Sequence, residues 1–261
     1  MHRIMVGAMV ERPLPPEAGQ ALFGFEKLDA AEHAQRVQRV FAAVAGRYDL
    51  MNDLMSGGLH RLWKAAMIDW LAPRAGWSVI DVAGGTGDIA HAILRRADAE
   101  VIVCDPSREM LNAGIDRMRD RGRVSGIRFV AGRAEALPFA AAAADACTIA
   151  FGLRNVSDRA AALAEARRVL RPGGRLMCLE FSRPRAAALR PLYDAYSYAV
   201  LPRLGAAVAG DGDAYRYLAD SIRSFPDQET LASEFRAAGF GVVRYRNLSA
   251  GIAALHSGWR T

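Results

Sequence analysis

Asp81-Val82-Ala83-Gly84-Gly85-Thr86-Gly87-Asp88 stands between an apolar run, 77–82, and a helical pattern, 88–96. A glycine-rich turn from strand to helix lets the backbone pass close to a ligand, because glycine has no Cβ to collide with it and tolerates positive φ. Gly84, Gly85 and Gly87 supply that turn. Alone it is ambiguous. Gly85-x-Gly87-x-x-Ala90, with Asp105 about 18 residues on, also fits the loose dinucleotide fingerprint.

Outward from the turn, strand and helix patterns alternate. Strands are expected at 77–82, 99–104, 127–131, 147–151 and 175–181, and helices at 88–96, 107–121 and 159–170. The alternation predicts an α/β fold: a mostly parallel sheet with helices on both faces and ligands beyond the carboxyl ends of its strands. Segments 241–248 and 252–256, parted by Ser249, Ala250 and Gly251, read as an antiparallel terminal hairpin, which brings the sheet to seven strands.

Before the first strand, helical patterns at 31–48 and 59–71 predict an N-terminal helical cap. Residues 1–30 lack periodicity, contain Pro13, Pro15 and Pro16, and read as a mobile leader. The expected organisation is that leader and one domain, 31–261, with the cap at 31–76 and a tyrosine-rich insertion at 183–225 that completes a substrate pocket.

Composition narrows the partners. Apolar residues make up 52% of 261 residues, ample for one core, and the net charge of +6 comes almost wholly from arginine, since Lys27 and Lys64 are the only lysines. The basic residues are dispersed, without the aromatic-interleaved run of single-strand binders, so no nucleic acid is expected. Contact with an anionic membrane surface stays open. Cys104, Cys147 and Cys178 lie in apolar runs with no metal-ligand spacing and read as core residues of a reducing compartment, with no metal. No run approaches the roughly 18 apolar residues a spanning helix needs. The expected location is the cytoplasm, or the periphery of a membrane's inner face.

The polar residues around the turn discriminate further. Asp81 can reach the amino-acid part of a sulfonium cofactor through bridging contacts, whereas a pyrophosphate-binding turn has no use for a carboxylate so near its anion. Thr86 and Asp88 add polar groups, and Asp105 ends the second strand, where a carboxylate can accept both hydroxyls of a ribose. Asp81 and Asp105 as plain helix caps is the competing reading. Together these residues resemble the class I (Rossmann-like) methyltransferases, whose cofactor is S-adenosylmethionine. That resemblance implies cofactor-binding roles for Asp81, Gly84, Gly85, Thr86, Gly87 and Asp105. It also implies an adenine contact after the third strand, at Arg133 and Ala134. Arg133 departs from the usual acidic or amide residue there, so recognition would rest on the Ala134 backbone and on guanidinium stacking.

A narrower resemblance rests on longer runs. The segments 48–63 (YDLMNDLMSGGLHRLW) and 168–182 (RVLRPGGRLMCLEFS) look like the two signatures of the UbiE family, the C-methyltransferases of ubiquinone and menaquinone biosynthesis. Phe151-Gly152-Leu153-Arg154-Asn155-Val156 and the tail from Phe225 to Trp259 are similar to that family as well. The resemblance implies methylation of a ring carbon of a polyprenylated benzoquinol or demethylmenaquinol, without a metal. It implies catalytic roles for Arg154, as stabiliser of a phenolate, for Asn155, as holder of the second ring oxygen, and for Tyr48, from the cap. It further implies a greasy groove with peripheral membrane access, for which 189–218 is the candidate; the same segment could serve a homodimer or a quinone-biosynthesis complex. A methyltransferase of similar fold acting on another aromatic metabolite, and a nicotinamide-dependent oxidoreductase, are the alternatives.

Overall fold

The computed structural model describes residues 20–23, 26–29, 31–33, 35–37, 39, 53, 56–122, 125–184 and 212–261. Two short strands, β1 (Gln20–Phe23) and β2 (Glu26–Asp29), pair antiparallel in a two-stranded sheet of their own. They fall inside the stretch read as a leader, which corrects its extent: four-residue strands are too short for a period to show in sequence. Arg36 ties the hairpin to the helical residues after it, reaching Glu26 and Glu32 at 2.8 Å each.

In the main sheet, β3 (Ser78–Val82) feeds the glycine turn and is buried from Val79 onward, as a central parallel strand must be. It pairs in parallel with β4 (Glu100–Asp105) and β6 (Ala144–Ala150). β5 (Ile127–Ala131) extends the sheet beyond β4, and β7 (Leu170–Phe181) beyond β6, also in parallel. β9 (Ala253–Trp259) runs antiparallel to β7, and β8 (Arg244–Leu248) closes the edge antiparallel to β9. The order is β5-β4-β3-β6-β7-β9-β8. The seven strands and their antiparallel terminal hairpin are as the sequence predicts.

Alternate side chains build two cores, one on each face. Val79, Val101, Met177, Leu179 and Leu255 meet α1 (His60–Leu71) and α2 (Asp88–Arg96). Ile80, Val82, Ile149 and the three cysteines meet α4 (Arg159–Val169) and α6 (Gln228–Ala237). All three cysteines are buried and free, so they are core residues as expected. α3 (Arg108–Asp120) is N-capped by Ser107, whose Oγ accepts from the Met110 N–H at 3.2 Å. α5 (Gly212–Ser224) belongs to the insertion, and 185–211, most of that insertion, lies outside the described residues.

Three side chains explain runs that periodicity leaves unassigned. Asp227 caps α6 through the Thr230 N–H at 2.9 Å. Gln228 next to it donates to the Arg183 carbonyl at 3.1 Å and to Asn247 Oδ1 at 2.9 Å, stitching α6 to the end of β8. Arg260 donates to the Arg167, Arg168 and Leu170 carbonyls, occupying the C-terminal end of α4. No described helix is long and apolar enough to cross a membrane.

Candidate active site

The carboxyl ends of β3, β4, β5 and β6 surround a cavity of about 340 Å³. Its floor is the glycine turn. Gly85 lines it with φ +53°, which glycine adopts without strain, and a Cβ there would lie 2.9 Å from the flexible Met110 methyl and have to displace it. Gly84 and Gly87 close the turn behind, the Gly87 N–H donating to the Gly84 carbonyl at 2.9 Å. Thr86 is buried and accepts from Arg117 of α3 at 3.2 Å, so it faces α3 and braces the turn from outside the cavity wall. Asp88 does the same, held by Lys64 at 3.1 Å and Arg117 at 3.0 Å.

Two acidic groups end adjacent strands. Asp105, on the cavity wall, accepts from the Gly85 N–H and the Ser107 N–H at 2.9 Å each; burial pushes its pKa up to about 6. These bonds leave lone pairs on both oxygens, the acceptor pattern a vicinal diol requires. Asp81 lies behind the turn, 1% exposed, with Oδ1 accepting from Thr148 at 2.7 Å and Oδ2 without a partner. Burial raises its pKa to about 7, against the Thr148 hydrogen bond and the charge of Lys64. A buried carboxylate beside the turn supplies negative charge that a cationic ligand would answer.

Across the cavity, Arg133 and Ala134 line the wall. Sequence reasoning missed Glu135, which also lines the cavity; it accepts from the Ser157 N–H at 3.0 Å and pairs with Arg133 at 3.3 Å. The loop after β5 turns back on itself, bridging Arg133 to Ala136, and that turn carries Glu135 to the wall. Its signal was present as an acidic residue two positions past the expected one.

The loop after β6 holds the proposed catalytic pair. Phe151 takes φ +57° and Ala83, opposite it, φ +50°; neither has glycine's freedom, and such conformations cost of order 1–3 kcal/mol each. Gly152 allows the two loops to meet, since a Cβ on it would lie 2.6 Å from that of Ala83. Asn155 lines the cavity, with its Oδ1 accepting from the Tyr217 hydroxyl of α5 at 3.1 Å and its Nδ2 3.4 Å from the Phe151 carbonyl. Arg154 does not line it. Its side chain is 1% exposed, with Nη1 2.9 Å from Glu180 and 2.7 Å from the Phe151 carbonyl. The expectation that Arg154 faces the reacting ring is therefore corrected: the ion pair turns it inward, beneath the strained Phe151. Tyr48 lies outside the described residues. His60, buried away from the cavity, bonds Ser56 at 3.0 Å.

The ubiE/COQ5 methyltransferase family matches residues 29–260. The chain belongs to that family. It is a methyltransferase, and the oxidoreductase reading of the glycine turn falls away. Among relatives of this family member, a Paracoccus denitrificans protein named ubiquinone/menaquinone biosynthesis C-methyltransferase UbiE is 56% identical over 247 residues, 94% of this chain and 99% of its own. An Edwardsiella ictaluri protein of the same name is 53% identical over 240 residues, covering 91% and 96%. Solved structures agree on the fold. A SAM-dependent methyltransferase from Thermotoga maritima aligns with TM-score 0.62 at 20% identity, over 86% of this chain and 100% of that one. The cyclase SpnF aligns with TM-score 0.63 at 18% identity, over 87% and 96%. A cyclase on this architecture shows that the fold alone does not choose the reaction; site residues do.

Proposed function

We infer that this chain transfers the methyl group of S-adenosylmethionine to a ring carbon of a polyprenylated benzoquinol or demethylmenaquinol, in ubiquinone and menaquinone biosynthesis. The observation that carries it is joint. Relatives bearing that activity in their names share more than half of all residues across at least nine-tenths of the chain, and the cavity has the donors and acceptors this cofactor needs. The site fits. Asp105 offers acceptors for a diol, Arg133 with the Ala134 backbone a wall for a flat ring, and Asp81, behind the turn, a negative charge that favours an ammonium group.

When bound, S-adenosylmethionine supplies an electrophilic methyl group. The chain must do the rest. A ring carbon becomes nucleophilic only when the neighbouring hydroxyl loses its proton, so the site has to favour a phenolate and aim it. Asn155, at the cavity wall, holds a ring oxygen with its amide. Arg154 acts through its neighbours, fixing the Phe151 carbonyl and the loop on which Asn155 stands. Tyr48 is a further contact to the substrate, and peripheral contact with the cytoplasmic face of a membrane gives the prenyl tail its access.

Complementation of a strain lacking this quinone methylation, with mass analysis of its quinones, tests the reading. Rescue should convert the accumulated unmethylated precursor to the methylated quinone. Failure to rescue either quinone, by a protein that binds S-adenosylhomocysteine in calorimetry, would sink the substrate assignment and leave a methyltransferase of another aromatic compound.

A further inference from the structure

The sheet face that α1 covers continues past the end of α1. Arg175 pairs with Trp259 across β7 and β9, and Ser257 with Arg244 across β9 and β8; side chains two apart on a strand share a face, so these four and Arg246 lie together. α1 stops at Leu71, with the Arg246 guanidinium 4.2 Å from the Trp70 ring centre. A cleft of about 470 Å³ opens there, lined by Trp70, Arg175, Val242, Arg244, Ser257 and Trp259, near the amino end of β7 and away from the cofactor cavity.

Its positive charge is met by carbonyls and aromatic rings and not by carboxylates. The wall contains no acidic side chain, and among the described residues none of these three arginines has a carboxylate at ion-pair distance. Arg175 is 8% exposed; its Nη2 donates to the Trp70 and Leu71 carbonyls at 2.5 Å each, while its Nε–H is buried without a partner. The Ser257 hydroxyl is likewise buried and unmet. A helix C-terminus offers roughly half a negative charge. The remainder of the guanidinium charge, and two unsatisfied donors, stay as a cost an anion would relieve. Burial, then the charge of Arg246, holds the Arg175 pKa below its usual range.

We propose that this cleft is a phosphate-binding site, in which Arg175, Arg244 and Ser257 hold the anion and Val242 and Trp259 form an apolar rim. Donors from three strands can each meet a different oxygen of a tetrahedral anion, which a carboxylate with two coplanar oxygens could not provide. The rim residues, 54% and 37% exposed, would suit the glycerol-ester part of an anionic phospholipid; a free phosphate would leave them in water.

The test uses the full chain in phosphate-free buffer, with two probes. Inorganic phosphate is titrated while tryptophan fluorescence and melting temperature are followed, and co-sedimentation compares vesicles of phosphatidylglycerol in phosphatidylcholine with phosphatidylcholine alone. Arg244→Glu and Ser257→Ala test the site without removing the Arg175 contact to α1; Arg95→Glu, on the exposed side of α2, matches the loss of charge. Saturable phosphate binding that raises the melting temperature and weakens at least about tenfold in Arg244→Glu supports a free phosphate ester. Binding only to phosphatidylglycerol vesicles, lost in Arg244→Glu and kept in Arg95→Glu, supports the same site with a lipid headgroup. No binding of either probe, or equal weakening by Arg244→Glu and Arg95→Glu, would overturn the proposal.

Discussion

Asp81 concentrates the conflict between stability and binding in a single side chain. Its folded-state pKa is raised by burial from the usual 3.8 to about 7. The folded protein therefore holds that proton more tightly than the unfolded chain does, and stability is lost as pH climbs from about 4 through about 7. Asp105, raised to about 6, adds to the same slope. In Asp81→Asn, the melting temperature of the cofactor-free protein is expected to fall less between pH 5 and pH 8 than in the wild type. Affinity for S-adenosylhomocysteine at pH 8 should drop at least about tenfold, because the neutral amide no longer answers an ammonium group. Thermal melts across pH, paired with calorimetry, check both; identical pH slopes would show that Asp81 is not the titrating group.

At the scale of elements, the loop after β6 is held in a strained shape by groups from β7 and α5. Glu180 accepts from Arg154 at both its backbone N–H (3.2 Å) and Nη1 (2.9 Å), and Arg154 in turn holds the Phe151 carbonyl. Removing one member of a buried pair leaves a bare charge, so Glu180→Ala should cost about 3–5 kcal/mol in urea denaturation. Changing both Arg154 and Glu180 to Met should recover much of that stability while turnover stays low, since the Phe151 loop has lost its anchor. Recovery of turnover along with stability would confine the pair to a packing role. Tyr217 supplies the second constraint. Its ring stacks on Phe23 of the N-terminal hairpin at 4.1 Å, and its hydroxyl orients Asn155. Tyr217→Phe keeps the stack and removes the hydroxyl, so a stability loss near 1 kcal/mol is expected. The kcat should fall with the KM for S-adenosylmethionine unchanged; a change confined to that KM would place Asn155 in cofactor binding instead.

Across the whole molecule, the sheet is stiffest at its centre and managed at its edges. β3 and β6 are paired on both sides and sandwiched between the two cores, whereas β5 and β8 each have one neighbour. Arg128 on β5 and Arg244 on β8 are exposed charges that discourage pairing with another chain. Hydrogen exchange should therefore reach β5 and β8 through local opening, while β3 and β6 exchange only by global unfolding. Mass-spectrometric exchange on peptides spanning each strand checks the order; equal protection of β8 and β3 would contradict it. The N-terminal hairpin should follow α5, because Phe23 and Tyr217 join them.

What the sequence determined by itself was the alternation of strand and helix, the position of the cofactor turn and the acidic ends of β3 and β4. These depend on local period and on glycine, signals carried within a few residues. The tertiary structure decided which way polar side chains point. Arg154 follows the fourth parallel strand just as a catalytic residue would, yet Glu180, 26 positions later, turns it inward. Glu135 sits two residues past the expected contact, and only the turn after β5 carries it into the cavity. Thr86 belongs to the glycine turn but is held by Arg117, 31 residues on. In each case the partner is distant along the chain and adjacent in space. A side chain's direction is set by whichever distant charge or donor the packed strands bring against it, and no local pattern records that partner.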